Sequence, residues 1–222
     1  VISTLDLDIK SEGGNKLNVA MSNLNNVPLK YHIAKFSTAI KDIANDLGKN
    51  VSFKISGIEG SIPKKSLYLL QDVLTHLFRN SIDHGIENTA ERIHLSKNKN
   101  GSIKVHIEKD DVGDLFIKIA DDGKGFNIRR IKSKAIENGL FKKDELDKMS
   151  VEEINNLVFL PNFSTKESVS EISGRGIGMD VVKTSLEKIN GSIKVISKEG
   201  KGTEFIIKLK NSKSNIKINS VS

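Results

Sequence analysis

Three glycines, Gly174, Gly176 and Gly178, stand two apart and lead straight into an apolar-periodic segment, Met179, Val182, Leu186 and Ile189. Glycines at a helix entrance let backbone amides approach a ligand closely, and the unpaired first N–H groups and the helix dipole favour an anion there. The preceding stretch, 164–173, is rich in Ser, Lys and Glu without apolar periodicity and reads as a mobile loop. A loop ending in a glycine-lined helix start suggests a lid over a phosphate. A run of this kind can also be a plain loop, so two further stretches decide the matter.

The first of these is LTHLFRNSIDHG, residues 74–85. At helical spacing Leu67, Leu70, Leu74, Leu77 and Ser81 share one face, while His76, Asn80, Asp83 and His84 gather on another. An Asn amide oxygen is a hard, neutral ligand suited to Mg²⁺, which takes few protein oxygens and fills its shell with phosphates and water. His76, one turn before Asn80, could accept a proton or orient a reacting group. A solvated helix face would show similar residues, but four convergent polar groups beside an apolar stripe favour a site. The other stretch is Asp121-Asp122-Gly123-Lys124-Gly125, directly after a strand. A carboxylate at a strand end can accept a hydrogen bond from the exocyclic amine of adenine, whereas guanine presents an acceptor oxygen there and is repelled. Gly123 and Gly125 would let a planar base pack on backbone. Alone, this motif is also a common turn.

The elements that must position these groups follow from periodicity. Ile33, Phe36, Ile40, Ile43 and Leu47 lie three or four apart after Pro28, with Gly48 as a stop, and predict one amphipathic helix of about four turns. Val51, Phe53 and Ile55 alternate as a strand. A long helix is expected from Pro63 to His84. Ile103–Ile107 and Leu115–Ile119 alternate around a hairpin loop, 110–114, and helical patterns follow near 128–139 and 150–158. Strands at 192–197 and 203–209 close the pattern. Hairpin-paired strands with helices grouped between them argue for an α+β fold, one sheet covered on one face by helices.

Composition sets outer limits. The 222 residues carry 35 Lys and Arg against 28 acids, a net +7 spread along the chain, with only 5% aromatics. Stacking platforms for single-stranded nucleic acid are not expected, although the positive excess should help attract a polyanion such as ATP. With no Cys, neither disulfides nor thiolate metal sites arise. No apolar run approaches the roughly 18 residues of a membrane helix. The expectation is a cytoplasmic protein with no nucleic-acid partner and no direct membrane insertion. The chain opens at Val1 without Met, which suggests a piece of a longer protein.

The order of motifs adds more than any one of them. The Asn helix, Asp-x-Gly-x-Gly, Phe159-x-Pro161-x-Phe163 and Gly-x-Gly-x-Gly resemble the N, glycine and F boxes of the histidine kinase and GHKL ATPase superfamily. LTHLFRNSIDHGIE, DDGKGFN and FSTKESVSEISGRGIGMDVV are similar to the catalytic ATP-binding domain of chemotaxis histidine kinases of the CheA family. The resemblance covers about residues 60–210, and weakly Val27-Pro28 through the next helix. It implies a two-layer α/β sandwich of the GHKL (Bergerat) type, with a mixed, mostly antiparallel sheet. With the polar, weakly periodic stretches at either end, the expected division is a linker or truncated remnant (1–25), a connecting helix and first strand (26–60), a kinase domain (61–210) and a polar tail (211–222).

The same resemblance gives Asp121 the adenine contact, with Gly123 and Gly125 shaping the base pocket. Asn80 would bind Mg²⁺ and phosphates, His76 would hold the catalytic position, and Asp83 and His84 would flank the nucleotide. Gly174, Gly176, Ile177, Gly178 and Met179 would form the phosphate side of the lid, Lys166 and Arg175 would contact phosphates, and Thr203 would support the adenine end. Asn162 stands where the family usually has Gly. The implied activity is transfer of the γ-phosphoryl of Mg·ATP to a histidine on a separate phosphotransfer domain. Receptor or coupling proteins and a response regulator would be reached through other domains. The alternative is a GHKL nucleotide-sensing module or an ATPase without kinase activity. A hydrolytic member needs a carboxylate on the Asn helix to activate water, and His76 occupies that place.

Overall fold

A computed structural model describes residues 25–161, 163 and 178–211 of the chain. The alternation read from the sequence becomes the inner face of a five-stranded sheet. In β4 (Gly101–Lys109), Ile103, Val105 and Ile107 are fully buried, while Lys104 and His106 between them are exposed. In β5 (Leu115–Asp121), every second residue from Leu115 is buried, and the series ends on Asp121. β2 (Val51–Gly57), β6 (Gly191–Lys198) and β7 (Gly202–Leu209) complete the order β2-β4-β5-β7-β6. β2 and β4 pair in parallel, and the other neighbours are antiparallel. A parallel neighbour requires a long crossover. It is supplied by α3 (Lys64–Asn80), a π-helical turn (Ser81–Gly85) and α4 (Thr89–His94). Further helices are α1 (Leu29–Ala34), α2 (Phe36–Asp46), α5 (Ile128–Glu137), α6 (Lys143–Leu146), α7 (Val151–Asn156) and α8 (Met179–Glu187). The apolar stripe of α3, with Leu70, Leu74 and Leu77 at most 1% exposed, supplies the helix side of the core.

Several elements differ from expectation, among them the short helices α4 and α6, which no periodic pattern announces. The helix read as one from Ile33 to Leu47 is two, parted at Lys35. The start of α1 is tied to the loop before β3 (Ser61–Pro63), where Leu29 N–H donates to Gly60 O and Lys30 N–H to Glu59 O. α2 instead follows the aromatic contact of Phe36 on Phe78, so the two segments answer to different anchors. A small antiparallel ribbon, β1 (Asn26–Pro28) on β3, has no counterpart in the pattern, since three-residue strands carry too little periodicity to be seen. Finally, α3 does not run on to His84. It gives way after Asn80 to the π turn, closed by an i to i+5 bond from Ile86 N–H to Ser81 O at 2.7 Å.

Phe78 joins the layers. It is 1% exposed, and its ring lies 5.2 Å from that of Phe36 on α2 and 5.7 Å from that of Phe53 on β2. Truncating such a ring leaves a cavity between three elements that cannot all collapse into it. Phe78→Ala is expected to lower the unfolding free energy by about 3–5 kcal/mol, read from urea unfolding.

Candidate nucleotide site

Two apolar stripes end in polar residues, and those ends meet. On α3 the stripe of Leu70, Leu74 and Leu77 continues into Ser81. On β5 the stripe of Ile117 and Ile119 continues into Asp121. Ser81 is 2% exposed and Asp121 7%, and the Ser81 hydroxyl donates to Asp121 Oδ2 at 2.9 Å. The other oxygen, Oδ1, accepts Gly123 N–H at 3.0 Å. A carboxylate has about four acceptor positions, so capacity remains for another donor. Burial pushes the Asp121 carboxyl up from its ordinary 3.8 to about 6, against the pull of the Gly123 N–H, the Ser81 hydroxyl and the Thr203 backbone. In the sequence Ser81 reads only as part of the apolar face. The signal for it was the one polar residue on an otherwise aliphatic stripe.

The π turn packs on the loop after β5. Lys124 N–H donates to Gly85 O at 2.9 Å, and a Cβ on Gly123 would run into that same Gly85 carbonyl. Gly125, at φ +68°, faces the Lys198 carbonyl where a side chain would also collide. Glycine is required at both positions by close backbone approach. Thr203 sits opposite Asp121 in the β5–β7 register and shares a 2.9 Å hydrogen bond with Ser197 Oγ. Ser197 also accepts Phe126 N–H, and its carbonyl accepts the Asn155 amide at 2.9 Å. Ser197 and Asn155 thus brace Thr203 beside Asp121, and neither stands out in the sequence.

Asn80 ends α3, half-buried, and its Nδ2 reaches Met179 Sδ at 3.1 Å. This contact places the start of α8, just after Gly178, beside the Asn helix. His76 lies one turn earlier on the same helix, half-buried. Asp83 and His84 lie on the π turn and pair with each other, Nε2 to Oδ2 at 3.2 Å, rather than extending a regular helical face with Asn80. Lys49 donates to the Ile82 and Asp83 carbonyls at 2.7 and 2.8 Å and holds this turn in place. Lys166, Gly174, Arg175, Gly176, Ile177 and the proposed lid, with Asn162, lie outside the described residues. A cavity of about 540 Å³ beside Ile136, Leu140, Phe141 and Glu145 involves none of the site residues. Among the described residues no helix is long and apolar enough to cross a membrane.

A two-layer fold that brings an Asn helix, a buried strand-end carboxylate and glycine turns together defines a class of nucleotide-binding ATPase domains. Residues 67–213 match the model of the histidine kinase-, DNA gyrase B- and HSP90-like ATPase family, and the chain belongs to that family. Within it the chain is similar to the sensor histidine kinase CheAY of Helicobacter pylori, 42% identical over 79% of this chain and 22% of that protein. It is likewise 41% identical to the chemotaxis protein CheA of Borreliella burgdorferi, over 82% of this chain and 21% of that one. The chain thus spans roughly a quarter or less of the length of these curated relatives. Among solved structures, a mycobacterial sensor histidine kinase, MprB, superposes with a TM-score of 0.52 at 15% identity, covering 83% of this chain and 95% of that one, which supports the fold.

The raised Asp121 value fixes a sign for stability. Between pH 3.8 and about 6 the folded chain holds a proton on Asp121 that the unfolded chain has released. This group's contribution therefore falls as pH rises through that window and stays low above it. The rise from 3.8 to about 6 corresponds to ~3 kcal/mol. Asn can satisfy the same partners, with Oδ1 accepting Gly123 N–H and Nδ2 donating to Ser81 Oγ. Asp121→Asn is therefore expected to be more stable than the wild type at pH 8, with the gap closing towards pH 4, measured by urea unfolding at both.

Proposed function

We propose that this chain is the ATP-binding catalytic domain of a CheA-type histidine kinase, which transfers the γ-phosphoryl of Mg·ATP to a histidine on a separate phosphotransfer domain. The observation that carries the reading is the buried Asp121 carboxylate. It is held by Ser81 from the Asn helix and by Gly123 from the glycine loop, with acceptor capacity left over. A buried acceptor of this kind suits the exocyclic amine of adenine, and an amine-free purine would leave it unpaired. Gly123 and Gly125 let the Gly85 and Lys198 carbonyls close onto the loop that follows Asp121, which fixes that loop beside the carboxylate, and Thr203 would support the base end.

Asn80 marks the phosphate end. Its amide nitrogen is engaged by Met179, which leaves Oδ1 as the neutral oxygen for Mg²⁺. Such an ion takes the remainder of its shell from phosphates and water and would neutralise charge as it builds on the transferring group. His76, one turn away, would orient or accept a proton from the incoming imidazole, which gains a phosphorus–nitrogen bond as the bond to the ADP oxygen breaks. Asp83 and His84 would flank the nucleotide. The protein's contribution would be positioning and charge neutralisation. Gly174, Gly176, Ile177 and Gly178 with Lys166 and Arg175 would close over the phosphates. The similar CheA proteins support a chemotaxis setting, with the acceptor histidine, receptor or coupling proteins and a response regulator reached through other domains.

The test mixes the chain with labelled ATP, Mg²⁺ and a separately purified histidine phosphotransfer domain. Acid-labile label is expected on the partner and on none of the chain's own five histidines. Asp121→Asn should weaken ATP binding by roughly 5- to 150-fold, the equivalent of an unpaired buried donor at about 1–3 kcal/mol. ATP binding without any transfer to the partner would favour a sensing module, and phosphate release without transfer would favour an ATPase.

A further inference from the structure

Behind the glycine loop lies a group of four charged side chains that the nucleotide reading leaves unused. Arg92 of α4 is 1% exposed. Its Nη1 donates to Glu87 Oε2 at 3.0 Å, its Nη2 to Asp122 Oδ2 at 2.8 Å and its Nε to Asn98 O at 2.6 Å. Lys97 Nζ donates to Glu87 Oε1 at 2.6 Å, to Asp122 O at 3.1 Å and to Gly123 O at 2.8 Å. Arg92 Nη1 also reaches Asp122 O at 3.3 Å. Burial pushes the Glu87 carboxyl up, but the bond from Lys97 and the charges of Lys97 and Arg92 more than offset it and hold the group below the usual carboxylate range. A buried set of ion pairs is a weak source of stability, because desolvation cancels much of the attraction. Its placement calls for another explanation.

The backbone supplies one. A trans peptide carries its C=O and N–H on opposite edges of one plane. With Asp122 O drawn to Arg92 and Lys97, the N–H across that peptide, Gly123 N–H, points the other way, to Asp121 Oδ1. With Gly123 O drawn to Lys97, the N–H across the next peptide, Lys124 N–H, points to Gly85 O of the π turn. Two successive peptides are thus held by cations on one edge and present donors to the site on the other. We propose that Lys97 and Arg92, themselves held by Glu87, are positioning residues that set the orientation of the Asp121 carboxylate and thereby the base selectivity of the site. This rests on the reading of Asp121 as the adenine acceptor.

Arg92→Met would remove a 1%-exposed guanidinium and its bond to the buried Glu87 carboxylate, so the test uses Lys97, whose side chain is 18% exposed. Affinities for ATP and for purine riboside triphosphate, which lacks the exocyclic amine, are measured by calorimetry on wild type, Lys97→Met and Lys97→Gln. Wild type should prefer ATP. In Lys97→Met the preference should shrink about tenfold, chiefly through weaker ATP binding, because the carboxylate is no longer held towards the amine. Lys97→Gln, which keeps one donor, should fall between. A wild type without preference would remove Asp121 from the adenine role and this inference with it. A preference that persists unchanged in Lys97→Met, or an equal loss for both triphosphates, would overturn the positioning role while leaving the adenine reading intact. Should Lys97→Met lose its cooperative thermal transition, an unchanged ratio in Lys97→Gln would overturn it equally.

Discussion

The hydrogen bond between Ser81 and Asp121 joins the helix layer to the sheet at the point where both run out of apolar residues. Everything in the candidate site is referred to it. A carboxylate taken out of water costs the fold free energy, as the upward push on Asp121 records. The group stands at the end of a continuous buried stripe in β5. That cost is intelligible if the carboxylate is meant to meet a donor that arrives from outside. A site built around a buried acceptor also rejects molecules that cannot supply the donor, which is a stronger filter than shape alone.

The π turn makes this joint possible. A regular α-helix continued through Ser81–Gly85 would keep its 3.6-residue phase. The wider turn, closed from Ile86 N–H to Ser81 O, tucks both Ser81 and Ile82 inward and brings the Gly85 carbonyl onto Lys124 N–H. Such turns have carbonyls that lack ordinary helical partners. Lys49 answers two of them, on Ile82 and Asp83, and its cationic head suits the negative end of the helix dipole. Burial lowers the Lys49 value, the mark of an ammonium drawn partly out of water to do this. Under the proposed reading, the few residues from Asn80 to Gly85 then span the ligand from its phosphates to its base. Met179 brings the start of α8 to Asn80.

Much of this was legible beforehand. Alternation in Ile103–Ile107 and Leu115–Ile119 gave the central hairpin, and the spacing of Leu67, Leu70, Leu74 and Leu77 gave the helix that covers it. Asn80, Asp121, Gly123 and Gly125 stand out as candidates because their residue types are chemically unusual at the ends of periodic segments. Periodicity is a local property, imposed by 3.6- and 2-residue repeats, so a single chain displays it directly. The same logic made the four-turn helix before Gly48 look continuous, although Lys35 divides it.

What the sequence by itself determined, then, is where the longer helices and strands lie, which face of each is apolar, and which polar residues interrupt those faces. Only the tertiary structure decided which interruptions meet. Ser81 finds Asp121 across 40 residues, Lys49 finds the π turn across more than 30, and Arg92 and Lys97 find the glycine loop across some 25 to 30. These pairings depend on how strand order and register place distant chain segments side by side. A serine, a lysine or an arginine looks the same in the sequence whether it ends in solvent or against a buried carbonyl. The reason is physical: burial and hydrogen-bond partners are properties of the packed interface between elements, and local repeats carry no record of it.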